Sequence, residues 1–202
     1  MLAPVSKARP QRKLSAPPGQ VRIIGGEWRG RKLPVPDVEG LRPTPDRVRE
    51  TVFNWLMPVI EGSGCLDLFA GSGALGLEAA SRGASQVWLV ERDATASTVL
   101  RENIDRLGTA DRVRLFTDDA LALLRRPATA KFDIAFVDPP YALDLVAPVV
   151  ELLRVGGWLA PQALIYTEWP ADQASPLPGT AYRASRAGNI AYALYRPDES
   201  PR

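Results

Sequence analysis

The 202 residues predict an α/β fold: a mostly parallel seven-stranded sheet with helices on both faces, preceded by a small β-hairpin. Three observations carry that prediction. Short apolar runs alternate with helical patterns from Cys65 to Glu168, the order that builds βαβ units and parallel strands. The first run leads into a glycine loop, Gly71-Ser72-Gly73-Ala74-Leu75-Gly76, and the second ends on a carboxylate, Glu91. The last two runs flank Gly188-Asn189, a two-residue turn that makes the final strand antiparallel.

Taken in order, residues 1–20 combine Pro4, Pro10, Pro17, Pro18 and Gly19 with basic and small side chains, the composition of a disordered basic arm. Residues 1–33 carry eight Lys/Arg against one acid, Glu27, a net +7. The remaining 169 residues carry 17 basic and 22 acidic side chains, a net −5, so the asymmetry points to a polyanionic partner. Residues 21–40 form the hairpin extension, with Val21–Ile24 and Lys32–Val35 as its arms and Gly25, Gly26 and Gly30 in its turns. Arg22, Arg29, Arg31 and Lys32 surround Trp28, and cations beside an aromatic face suit phosphates and unstacked bases. A hairpin edge that merely caps the main sheet is the alternative.

The rest of the chain, residues 41–202, reads as one domain. Leu41–Leu56 is a helix with Thr44 as N-cap and Pro45 at its first position, ended by Pro58. Val48, Val52, Trp55 and Leu56 form its apolar stripe, leaving Arg47, Arg49, Glu50 and Asn54 off it. After the Cys65 strand, a helix starts near Ala74, and Gln86–Glu91 is the second strand. Then come a helix over Ala94–Leu107, a strand over Val113–Thr117, a short helix over Leu121–Arg126 and a strand over Lys131–Val137. Leu143–Leu153 is helical until Gly156-Gly157, Ala163–Glu168 is the next strand, and 170–179 is a Pro-rich loop. Ala181–Ser185 and Ile190–Tyr195 make the terminal hairpin.

Composition excludes several chemistries. One cysteine rules out an internal disulfide, and no histidine rules out Ser-His-Asp and Cys-His catalysis and argues against zinc. Cys65 sits in a strand pattern as a small core residue, far from any role as a cytosine-C5 nucleophile. No apolar run is long enough to cross a membrane, and the basic N-terminus is not a secretory signal, which leaves the cytoplasm. Proton handling falls to carboxylates, backbone carbonyls or water.

The glycine loop with Glu91 twenty residues after Gly71 fits a dinucleotide fingerprint. Asp67 argues against that ligand, because a carboxylate beside the loop repels a pyrophosphate. It suits S-adenosylmethionine (SAM), which carries a sulfonium and an ammonium and no phosphate. Glu91 accepts ribose hydroxyls from either ligand, so a nucleotide-dependent oxidoreductase stays as the alternative. Ligands of such sheets lie beyond the carboxyl ends of the strands, where Asp67, Glu91, Asp119 and Asp138 all stand. Asp119, or Asp118 if the strand slips by one, is placed to bond the adenine amine.

Asp138-Pro139-Pro140-Tyr141 is the most specific motif. An exocyclic base amine is a poor nucleophile because its lone pair is delocalised into the ring. Asp138 and the Pro139 carbonyl can accept its two hydrogens, prolines keep the backbone carbonyls aimed, and Tyr141 offers a stacking face. The lone pair then points at a methyl donor, so catalysis is positioning plus electrostatics.

These motifs resemble a known family. Arg22-Ile-Ile-Gly-Gly, Trp28-Arg-Gly-Arg-Lys-Leu-Pro, Leu41-Arg-Pro-Thr-Pro-Asp-Arg, Leu66-Asp-Leu-Phe-Ala-Gly-Ser-Gly, Val90-Glu-Arg-Asp and Asp138-Pro-Pro-Tyr are similar to the bacterial RsmD-type 16S ribosomal RNA guanine-N2 methyltransferases, over residues 21–196. The resemblance implies a class I, Rossmann-like methyltransferase that modifies one guanine amine on assembling 30S subunits. A monomer without metal is expected, and a SAM-binding assembly factor without catalysis or a different amino-methyltransferase are the alternatives. It implies that Arg42, Thr44 and Asp46 help close the SAM pocket, with Asp67, Phe69, Ala70, Gly71, Ser72, Gly73, Glu91, Arg92, Asp119, Ala120 and Asp138 around the cofactor. RNA contacts are expected from Arg22, Trp28, Arg29, Arg31, Lys32 and Arg47.

Overall fold

The structure is a computed structural model that describes residues 19–38, 44–140 and 144–197. The N-terminal hairpin forms: β1 (Gln20–Arg22) and β2 (Lys32–Pro34) pair antiparallel with Val21 opposite Leu33. It lies tightly on the body. Gly26 has φ 78, and a Cβ there would collide with the Ser81 carbonyl, so the turn needs glycine on both counts. Val21, Ile23, Trp28, Leu33 and Val35 all enter the same buried cluster as the helices described next.

The main sheet contains β3 (Gly64–Asp67), β4 (Gln86–Glu91), β5 (Val113–Thr117), β6 (Phe132–Val137), β7 (Leu159–Pro170), β8 (Arg183–Ala187) and β9 (Ile190–Tyr195). Their spatial order is β5-β4-β3-β6-β7-β9-β8; the first five are parallel, and β9 pairs antiparallel with β7 and with β8. Helices α1 (Asp46–Leu56), α2 (Gly76–Ser81) and α3 (Ala94–Leu107) pack on one face, through Val52, Phe53, Leu77 and Leu100. The other face is covered by α4 (Ala120–Leu124) and α5 (Val146–Val155), around Leu123, Leu153 and Trp158. No described helix is long and apolar enough to cross a membrane.

The boundaries differ from expectation where local chemistry was misjudged. Thr44 does not cap α1. Pro45 holds that position at φ −56 and ψ 145, with no side-chain cap. The start of the helix expected from Leu41, residues 41–43, lies outside the described residues. The second helix starts at Gly76 rather than near Ala74, since Gly71 and Gly73 at φ 52 and 77 keep the loop open for longer. α4 begins one residue early because Asp119 caps it, accepting from the Ala122 N–H at 2.9 Å. β7 is twice the expected length, with a register shift opposite Phe132–Ile134. The terminal turn sits on Gly188-Asn189 as expected, but pairing of Ala187 with Ile190 moves the β8 strand two residues along.

Candidate active site

A cavity of about 1060 Å³ opens beyond the carboxyl ends of β3 to β7. That is at the top of the roughly 300–1,000 Å³ range of small-molecule sites. Its floor is a row of carboxylates set by strand periodicity. Cys65, Leu89, Ile134, Phe136, Leu164 and Tyr166 face the α1–α3 side of the sheet. Asp67, Glu91, Asp138 and Glu168 stand an even number of residues further along, so they emerge on that same face. Val137 pairs with Thr167, which makes Asp138 and Glu168 cross-strand neighbours.

Each carboxylate has a different setting. Glu91 receives the Gly71 N–H at 2.8 Å and the Asp93 N–H at 2.7 Å, fixing the glycine loop to the end of β4. Asp67 is 3% exposed and accepts from Gly76 N–H at 3.0 Å, at the start of α2. Burial pushes its pKa up to about 7 despite the N–H groups of Gly76 and Phe69, and the Glu91 charge adds to the rise. Gly76 is required here, because a Cβ would meet Leu89 and the Asp67 side chain.

Asp138 accepts no hydrogen bond from a described side chain; burial, then the charges of Glu168 and Asp67, raise it well above the ordinary carboxylate value. Glu168 accepts the Tyr166 hydroxyl at 2.6 Å. Burial raises it as well, against the lowering effect of the Tyr166 and Thr44 hydroxyls.

The structure brings Thr44, Asp67, Phe69, Ala70, Gly71, Ser72, Glu91, Arg92, Asp119, Ala120, Asp138, Pro139 and Pro140 to this one cavity. Gly73 stands behind the wall, its N–H bonded to the Ala70 carbonyl at 2.6 Å. Asp46 is not among the residues that line the cavity; it bonds Arg49 at 2.7 Å and Arg22 at 3.0 Å. Asp118 and Asp119 both reach the cavity wall; Asp118 pairs with Arg126 at 2.7 Å, while one Asp119 oxygen caps α4. Arg42 and Tyr141 lie outside the described residues.

Trp28 is a correction. It is 3% exposed, with the Arg112 guanidinium 5.2 Å from its ring centre, so the ring is core and cannot stack on a base. The pattern misled because a tryptophan among arginines reads alike whether the ring faces water or the body. Arg29, Arg31, Lys32 and Arg47 are exposed, and Arg22 is exposed while paired with Asp46.

Three residues at or behind the cavity escaped the sequence reading. Glu168 lies two residues before the end of β7 and Asp138 directly follows β6, and a carboxylate near each strand end was the available signal. Arg49 is 1% exposed, not solvated; it lies three and four residues before Val52 and Phe53, within a wider apolar stripe. It donates to Thr44 O at 3.2 Å, Arg22 O at 2.8 Å and Glu78 at 3.4 Å. Glu78, fully buried, also receives the N–H groups of Ile24 and Gly25 at 2.8 Å and Arg82 at 2.7 Å. This network ties hairpin, α1 and α2 together and holds Thr44 at the cavity.

The donor set discriminates between ligands. Neighbouring buried carboxylates that repel one another are relieved by a cation and burdened further by a pyrophosphate. The residues therefore fit SAM, with Glu91 at the β4 end and Asp119 at the β5 end lining the same cavity.

Known proteins give the same answer. Residues 21–196 match the family model described as conserved hypothetical protein 95. Ribosomal RNA small subunit methyltransferase D of Escherichia coli (strain K12) is 50% identical over 181 residues, covering 88% of this chain and 90% of its own. The solved structure of yhhF from Escherichia coli has a TM-score of 0.80 at 46% identity, covering 88% of this chain and 98% of that one. An RNA methyltransferase from Salinibacter ruber, solved with S-adenosyl-L-homocysteine, shares the fold at TM-score 0.61 and 17% identity, over 80% of this chain and 97% of that one. The fold is that of the class I methyltransferases, and the chain belongs to the conserved hypothetical protein 95 family, which includes ribosomal RNA small subunit methyltransferase D.

Proposed function

We propose that this chain transfers a methyl group from SAM to the exocyclic N2 amine of one guanine in small-subunit (16S) ribosomal RNA. It acts as a cytoplasmic monomer on assembling 30S particles. The observation that carries the reading is the Asp138 carboxylate, without a described hydrogen-bonding partner, facing a cavity whose other carboxylates fit a cation. Bound SAM supplies an electrophilic methyl group on its sulfonium.

The chain's own residues do the rest. Asp67 provides negative potential beside the glycine loop, Glu91 takes ribose hydroxyls and Asp119 takes the adenine amine. Asp138 accepts one hydrogen of the target amine and the Pro139 carbonyl the other, which turns the amine lone pair toward the methyl donor. Asp138 need not be a strong base, because the amine proton becomes acidic only as the new bond forms. Tyr141 stacks on the base, and the guanine must leave its stack to reach this depth. Arg42 and Thr44 close the cofactor side. Residues 1–20 form a basic arm, 21–40 the hairpin and 41–202 the catalytic domain, with Arg22, Arg29, Arg31, Lys32 and Arg47 meeting phosphates.

The test is a methylation assay on unmodified small subunits and on naked RNA, followed by nucleoside mapping. Methylated guanine-N2 is expected. Methylation at adenine-N6 assigns the site to a different amino-methyltransferase, and SAM binding without transfer leaves an assembly factor.

A further inference from the structure

We propose that Glu168 is a specificity-determining residue that reads the guanine N1–H while Asp138 holds the N2 amine. The inference rests on the guanine-N2 reading above and deepens it. The order of strand ends along the sheet gives the layout. Adenine and ribose contacts belong to β5 and β4, the glycine loop follows β3, and Asp138 follows β6. β7 is the next strand on the side away from adenine, so Glu168, two residues from its carboxyl end, lies where the acceptor base must enter.

Glu168 is 3% exposed, lines the cavity and is held in one place by the Tyr166 hydroxyl at 2.6 Å. Parallel pairing of Val137 with Thr167 sets it beside Asp138, on the same face. Adjacent strands lie about 4.8 Å apart. Two neighbouring acceptors therefore face the entering base, and a carboxylate can take up to about four hydrogen bonds, so the Tyr166 and Thr44 contacts leave room for another.

The base chemistry then decides. The Watson–Crick edge of guanine presents two adjacent donors, N1–H and the N2 amine. Adenine presents its amine beside N1, an acceptor. The Glu168 carboxylate, in its ionised form, accepts N1–H of the first edge and opposes the lone pair at N1 of the second, while Asp138 takes the amine of either. Selectivity for guanine thus comes from a repulsive contact as well as an attractive one.

The discriminating substrate is 2-aminopurine. It keeps the N2 amine but carries an acceptor at N1. Single-turnover methylation is measured on small subunits whose mapped target is guanine or 2-aminopurine, with wild type and Glu168→Gln, and SAM affinity is measured by calorimetry. Wild type should prefer guanine by about 10- to 150-fold, the range for one charge-assisted hydrogen bond. Glu168→Gln places an amide N–H toward N1 while its oxygen keeps the Tyr166 bond. It should lose most of that preference, with SAM affinity within about threefold.

Equal wild-type rates on the two bases overturn the inference. So does a Glu168→Gln variant slowed equally on both, or one with SAM affinity reduced more than about tenfold, which would place Glu168 in the cofactor site. Failure of wild type on guanine itself overturns the underlying reading, and this inference with it.

Discussion

Replacing Glu78 by Gln tests whether the hairpin is welded to the catalytic body by a desolvated charge. Glu78 and Arg49 are 0% and 1% exposed, and four groups donate to the two Glu78 oxygens. Glutamine keeps the shape but turns one acceptor oxygen into an NH₂ group. That group must then face either the Ile24 N–H and Arg49 or the Gly25 N–H and Arg82. At least one donor pair meets another donor, and the Arg49 charge loses its buried partner. Breaking a buried pair from one side costs about 3–5 kcal/mol, well above the 0–1 kcal/mol of an exposed pair. For a chain of this size the melting temperature should fall by roughly 6–20 °C. Urea unfolding gives the free energy, and the double variant Glu78→Gln/Arg49→Met should recover part of the loss because the more deeply buried of the two cations is removed, leaving only the partly exposed Arg82 without its carboxylate. A Glu78→Gln loss below about 1 kcal/mol would refute the reasoning, since the network would then behave as a solvated one.

Other perturbations separate the roles of the remaining residues. Asp67 in the free protein holds its proton up to about pH 7, and a cationic ligand favours the ionised form. Below that pH, SAM binding must expel a proton, so affinity should fall roughly tenfold per unit as pH drops from about 7, and Asp67→Asn should flatten that slope. A profile flat from about pH 5.5 to 8 would show that Asp67 does not answer the cation. Trp28→Ala should cost about 3–5 kcal/mol of stability as a cavity mutation, while RNA affinity of the folded protein holds; a selective loss of RNA binding would restore the stacking role. Deleting residues 1–18, which spares β1, should weaken RNA binding and flatten its salt dependence by about 0.7 per lost phosphate contact, with SAM affinity unchanged.

The sheet was legible because its signals are local. Apolar runs between glycine and proline punctuation marked the strands, and Asp93 and Gly108 bracket α3 as an N-cap and a left-handed C-cap at φ 66. The cofactor floor was legible for the same reason: strand-end carboxylates can be counted along the chain. What escaped depends on pairing at long range. Trp28 is buried by a body that includes Arg112, and Arg49 by contacts that include Glu78 and Arg22, which the helical stripe cannot reveal. Asp46 sits in a motif beside the cavity, yet its oxygens are taken by Arg22 and Arg49, a pairing that sequence spacing does not show. Glu168 gained meaning only when β7 proved to neighbour β6 in register.

The central claim is that Asp138 holds the target amine for transfer rather than holding the cofactor. Single-turnover methylation of unmodified small subunits by Asp138→Ala, with SAM affinity measured on the same preparation, tests it most directly. The account predicts a rate constant lower by about two to three orders of magnitude with SAM affinity within about threefold of wild type. A rate near that of wild type, with the cofactor bound normally, would contradict it.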